Sequence, residues 1–161
     1  MLLSGRAPLT LKRKVHMARV NISKKHPDVY KKVVELSKAA EEAALAAGLD
    51  PRLIELVKIR VSQMNACAFC CRLHTRDALT LGETADRLAV LPVWWESQYF
   101  SGIEQAALGL AEEATRLPGR ADRQWDSGAL TEEQVSAVTW VALVMNTWNR
   151  VAVLSEYPVA P

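Results

Sequence analysis

Residues 51–64 read PRLIELVKIRVSQM, and their apolar side chains fall on most sides of the helix they would form. Leu53, Ile54, Leu56, Val57, Ile59, Val61 and Met64 leave that helix little face for water, so it has to be wrapped by others. Asp50 supplies its N-cap and Pro51 suits its first position. The neighbouring segments offer the wrapping. Residues 28–47 are rich in Ala, Leu, Glu and Lys, with Gly48 as a stop. Asn65-Ala66 interrupts, and a further helix is expected from near Cys67 to Gly82. A short helix over 84–91 should be broken by Pro92. Ser101 with Glu104, and Thr131 with Gln134, are capping boxes that open helices over 101–117 and from Thr131 through Arg150. Residues 118–130 are expected as loop. No alternating strand pattern, internal repeat or linker divides the chain, so the expected fold is all-α, a single-domain helical bundle.

Composition narrows the function classes. The chain has 161 residues, half of them hydrophobic and 24% charged, which is enough apolar material for a core and too little net charge for disorder. Three Cys is an odd count that does not fit a secreted disulfide framework. The formal charge of +2 divides unevenly. Residues 1–16 hold Arg6, Lys12, Arg13 and Lys14 with no acid, for +4, while residues 17–161 hold 16 basic and 18 acidic residues, for −2. The expectation is a basic, flexible tail over 1–16, a domain over 17–161 and Met17 as a natural start, which leaves no charge argument for a nucleic-acid partner. Met1-Leu2-Leu3 is followed by Ser4-Gly5-Arg6, with no apolar core for a secretory signal. The longest uncharged stretch, Gln134 to Asn149, is 16 residues and includes Ser136, Thr139, Asn146, Thr147 and Asn149, short of the ~20 apolar residues of a membrane span. A cytoplasmic protein without a membrane partner is therefore expected.

The chemistry concentrates in Cys67-Ala68-Phe69-Cys70-Cys71-Arg72-Leu73-His74. Cys67 and Cys70 stand three apart and Cys70 and His74 four apart, so a helix puts all three on one face. A neutral imidazole there can take a thiol proton, and the helix start favours negative charge on sulfur. Two thiols one turn apart can close a disulfide once one is oxidised. Three readings fit the spacing: a redox dithiol with its own base, small buried core cysteines, or part of a zinc site with His74. Glu55 lies inside the most apolar helix, where its carboxylate either pairs at the surface with Lys58 or is buried against a partner such as His74.

Glu55, Cys67-x-x-Cys70 and His74 together resemble the signature of the alkylhydroperoxidase D (AhpD)-like proteins of the carboxymuconolactone decarboxylase superfamily. The approach from Leu56 to Ala66, the continuation His74-Thr75-Arg76-Asp77-Ala78, and Asn146-Thr147-Trp148-Asn149-Arg150 in the last long helix are similar as well. The resemblance covers about residues 20–155. It implies an all-helical fold whose copies assemble as dimers, trimers or hexamers. It implies thiol-dependent reduction of hydroperoxides, with no flavin, haem or metal. Cys70 would be the buried attacking thiol, adjacent to the base, and Cys67 the resolving or reductant-facing one. His74 and Glu55 would form the proton relay. The partners implied are a hydroperoxide substrate and a dithiol or protein electron donor.

Cys71 departs from the family pattern. It stands four residues from Cys67, where helical neighbours are ~5–6 Å apart at Cβ against the about 3.5–4.5 Å of a disulfide, so it is expected as a packed spectator. Trp94-Trp95 with Tyr99 and Phe100 could line a substrate channel, though core or interface is the simpler reading. Arg72 and Arg76 either support a thiolate or form a solvated face, and Asn146 to Arg150 either touches the motif or packs between helices. Two other functions stay open: an acid–base enzyme of the decarboxylase type, which needs no Cys pair, and a non-enzymatic helical module that binds zinc or oligomerises.

Overall fold

Helices account for the ordered secondary structure of the computed structural model, which describes residues 20–117 and 127–160, with no β-strand among them. The basic stretch over 1–16 and most of the expected loop over 118–130 lie outside the described residues. In chain order the α-helices are α1 (Ile22–Lys25), α2 (Pro27–Ala46), α3 (Pro51–Met64), α4 (Ala68–Thr80), α5 (Ala85–Val90), α6 (Gly102–Arg116) and α7 (Glu132–Leu154). Short 3-10 turns cover Leu91–Glu96 and Ser127–Ala129.

α3 is the axis the sequence asks for. The Asp50 side chain accepts from the Arg52 N–H, and ten consecutive residues from Leu53 to Ser62 are buried. α4, α6 and α7 pack around it, and α2 leans mainly on α7. One flank of α3 sends Leu53, Val57 and Val61 against Ala107, Ala111, Val138, Val141 and Met145. The other sends Leu56 and Ile59 against Ala78, Leu91, Phe100 and Leu108. Each fully buried Leu or Ile of this kind contributes about 2 kcal/mol. Both capping boxes form as written, Ser101 with Glu104 and Thr131 with Gln134.

Two boundaries differ from expectation, and a third is met in a tighter form. α5 ends at Val90, just short of Pro92 as expected, and Pro92 then enters a 3-10 course. It sits in the first turn of the 3-10 segment, where its fixed φ is compatible and its missing N–H costs nothing, and the kink falls at Val93. α7 continues four residues beyond Arg150, because Val151 and Ala152 extend its packed face and no breaker intervenes. Cys67 is the N-cap of α4 and not a residue of its first turn. Among the described residues no helix is long and apolar enough to cross a membrane.

Candidate active site

The turn between α3 and α4 places the cysteines. Asn65 caps α3, Ala66 turns into left-handed backbone at φ 52°, and the Cys67 and Ala66 N–H groups donate to the Ser62 and Gln63 carbonyls. That pairing is a Schellman motif, which stops one helix and re-aims the chain within two residues. Cys67 then caps the next helix, its Sγ accepting the Cys70 N–H at 3.3 Å. Cys67 and Cys70 are joined by a disulfide, with Cα atoms 5.4 Å apart, and Cys71 is the free thiol among the three. Burial pushes the Cys71 thiol up from its ordinary value, so it is a poor thiolate.

An amide network fastens this turn to α7. Asn65 Nδ2 donates to Asn146 Oδ1 and Asn149 Oδ1, both at 2.9 Å, and Asn149 Nδ2 donates to Ser62 Oγ at 3.1 Å. Of the two readings of Asn146 to Arg150, contact with the motif's approach is therefore the one realised. Arg150 turns back to the Asn146 carbonyl at 2.7 Å.

Glu55 is buried, and both partners weighed for it are present. His74 Nδ1 lies 2.9 Å from Glu55 Oε2, and Lys58 Nζ donates to Glu55 Oε1 at 2.7 Å. Lys58 reaches on to Glu41 Oε2 on α2 at 2.7 Å. Burial alone would raise the Glu55 carboxyl. The His74 hydrogen bond and the Lys58 charge outweigh it and hold the group below its ordinary value. Burial would likewise lower the Lys58 ammonium, and Glu55 and Glu41 together hold it above its ordinary value. An ionised Glu55 only accepts hydrogen bonds, so His74 Nδ1 carries the hydrogen and Nε2 is the basic nitrogen.

Cys70, His74, Glu55 and Lys58 all line one cleft of about 890 Å3 between α2, α4 and α7, within the roughly 300–1,000 Å3 of small-molecule sites. Its walls are mostly apolar, and Tyr30, Phe69, Trp148 and Tyr157 bring aromatic rings from four parts of the chain. The sequence reading missed Tyr30, Phe69 and Tyr157 as site residues, and it weighed Lys58 only as a surface partner. The Glu55-to-Lys58 spacing was the one local signal for the lysine.

Cys67 is the more deeply buried of the pair. It is 1% exposed against 4% for Cys70, and only Cys70 lines the cleft, because the capping position turns Cys67 into the α3–α7 core. Trp94, Trp95, Tyr99 and Phe100 do not line the cleft. Trp94 donates to Glu112 at 2.9 Å, Trp95 lies over Arg60, and Phe100 is core. Among the described residues, Glu55, His74 and Asp77 bring ligand atoms within 4.8 Å of one another. The Lys58 ammonium on Glu55 opposes a second cation there.

Comparison with known proteins agrees with this fold. Residues 27–113 match the carboxymuconolactone decarboxylase family. The uncharacterized YdfG of Bacillus subtilis is 40% identical over 108 residues, 62% of this chain and 70% of that protein. The uncharacterized YnjA of Escherichia coli is 33% identical over 92 residues, 52% of this chain and 50% of that protein. A crystal structure from Agrobacterium tumefaciens, of a protein of unknown function provisionally assigned to antioxidant defence as AhpD, matches with a TM-score of 0.72 at 30% identity. That match covers 88% of this chain and 99% of the other.

Proposed function

The chain belongs to the carboxymuconolactone decarboxylase family, and from that premise we propose that it is a thiol-dependent peroxidase of the AhpD kind. The observation that carries the reading is the Cys67–Cys70 pair, whose Cys70 shares a cleft with the hydrogen-bonded His74–Glu55 pair. His74, oriented by Glu55, takes the Cys70 proton. The thiolate attacks one peroxide oxygen, the O–O bond breaks, and the departing oxygen leaves as an alcohol or water with that proton. Cys70 is then a sulfenic acid. The Cys67 thiol condenses with it, forming the S–S bond and releasing water. A dithiol donor supplies two electrons and two protons to restore both thiols. Because only Cys70 lines the cleft, the donor attacks there, and Cys67 is the resolving thiol behind it. Such a cycle suits a reducing compartment such as the cytoplasm. Assembly of copies into a homo-oligomer belongs to the same proposal.

An acid–base enzyme of the decarboxylase type would use His74 and Glu55 and leave the cysteine pair without a task. The test is direct. Reduced protein given one equivalent of cumene hydroperoxide should lose two thiols, with the new bridge mapped to Cys67–Cys70. Cys70→Ser should abolish peroxide consumption, and Cys67→Ser should stop at a trapped sulfenic acid. A Cys70→Ser protein that consumes peroxide at the wild-type rate would overturn the mechanism.

A further inference from the structure

Lys58 is the buried charged group lining the cleft that the cycle above does not use. It lies in the most enclosed helix, 11% exposed at its side chain, and its ammonium bridges Glu41 on α2 and Glu55 on α3 at 2.7 Å each. Glu55 in turn holds His74 on α4 at 2.9 Å. The four groups form one line across three helices: carboxylate, ammonium, carboxylate, imidazole. We propose that Lys58 is a positioning residue that sets the basicity of His74 through Glu55, with Glu41 as the tether that divides its charge.

The charge count gives the direction. With His74 neutral, the line carries one net negative charge, and with His74 protonated it carries none. Remove Lys58 and those values become two negative charges and one. The imidazolium then gains an unshielded carboxylate and loses the repulsion of a nearby ammonium. Lys58 therefore keeps His74 neutral, and able to accept a thiol proton, at a lower pH than Glu55 alone would allow. The lysine also occupies Glu55 Oε1, which leaves Oε2 for the ring and fixes which carboxylate oxygen His74 meets.

The other titratable groups on the cleft do not replace this function. α2 adds Tyr30, Lys38 and Glu42, α4 adds Cys70 and Asp77, and the C-terminal segment adds Tyr157. α7 contributes Met145, Trp148 and Ala152, none of which titrates. Asp77 stands 3.7 Å from His74 Nδ1 but is half exposed, so water screens it. Lys38 is spent on Glu42 at 3.6 Å on an exposed face.

The inference rests on the peroxidase reading for its purpose, yet it can be measured without any peroxide. The full chain is kept in its disulfide form, where Cys67 and Cys70 do not titrate, and the His74 ring Cε1 proton is followed by NMR against pH. His74→Gln identifies the resonance among three histidines. Lys58→Met should move the titration midpoint up by about one pH unit or more. Lys58→Arg should restore it to within a few tenths. Glu41→Gln, at an exposed residue that does not threaten folding, should move the midpoint the other way, because the whole ammonium charge then falls on Glu55. A folded Lys58→Met protein with an unmoved midpoint, an arginine that fails to restore it, or a Glu41→Gln shift of the same sign as Lys58→Met would each overturn the proposal. Peroxide consumption by the reduced wild type is measured separately. Its absence would overturn the peroxidase reading and leave the titration result standing.

Discussion

At the scale of single residues, the decisive one is Glu55. A carboxylate on a helix buried on most sides is costly unless it is paired, and here two cations or donors meet it. Stability should record this in a pH-dependent way. Glu55 is held below its ordinary 4.5, so its contribution is present above that pH and is lost as pH falls through the lower folded value. Lys58 is held above its ordinary 10.5, so its contribution is present below that pH and is lost as pH rises through the higher folded value. The stability difference between wild type and Glu55→Gln should therefore be flat near neutrality and shrink in acid. For Lys58→Met it should shrink in alkali. Urea unfolding at a series of pH values reads both, and a difference that stays constant from acid to alkali would contradict the pairing. The sequence could offer Lys58 and His74 as alternative partners, but it could not show that both are used. Lys58 sits one turn away on the same helix, whereas His74 depends on how α4 folds back. Glu41 was invisible for the same reason, since only the packing of α2 brings it within reach of Lys58.

At the scale of elements, the α3–α4 turn does most to build the site, and it contains a local strain. Ala66 adopts φ 52°, a left-handed conformation that costs an L-residue roughly 1–2 kcal/mol. Glycine at this position removes that cost, and its greater freedom in the unfolded chain returns part of the gain. Ala66→Gly should therefore raise stability by about 0.5–1 kcal/mol, seen as a higher urea midpoint with an unchanged slope. A lower midpoint would mean that the Ala66 methyl group makes contacts worth more than the strain. Caps and stops such as Asp50, Ser101, Thr131 and Gly48 were legible because they act within one turn of chain. Cys67 was not legible as a cap, because a thiol is not a usual N-cap and only the Schellman turn before it turns its sulfur toward the Cys70 N–H. The aromatic walls of the cleft were hidden for a different reason. Tyr30, Phe69 and Tyr157 come from separate elements, and no spacing joins them to one another or to Trp148. The tandem Trp94-Trp95 drew attention by its sequence and lies elsewhere.

At the scale of the whole molecule, α7 both anchors the site and turns a second face outward. Its inner side buries Val138, Val141, Met145 and Asn149. Its outer side shows Trp140 at 49% exposure, Leu143 at 40% and Leu154 at 55%. Those three positions fall within one narrow sector of a 3.6-residue helix, so they form an apolar stripe along it, interrupted by the Thr147 hydroxyl. Isolated exposed apolar residues need no explanation, but an aligned stripe on a rigid helix is the usual mark of a contact surface. A second copy is the natural occupant if the chain assembles, and a charge in the middle of such a contact is strongly unfavourable. Trp140→Glu should then lower the assembly mass measured by light scattering, with helix content unchanged. Trp95→Glu serves as the comparison. Trp95 is equally exposed, but its ring lies over Arg60, whose charge is neutralised by Glu112 at 2.7 Å, so it already has a partner within the protomer. Loss of mass with Trp95→Glu and not with Trp140→Glu would move the interface from α7 to the 3-10 segment over Leu91–Glu96.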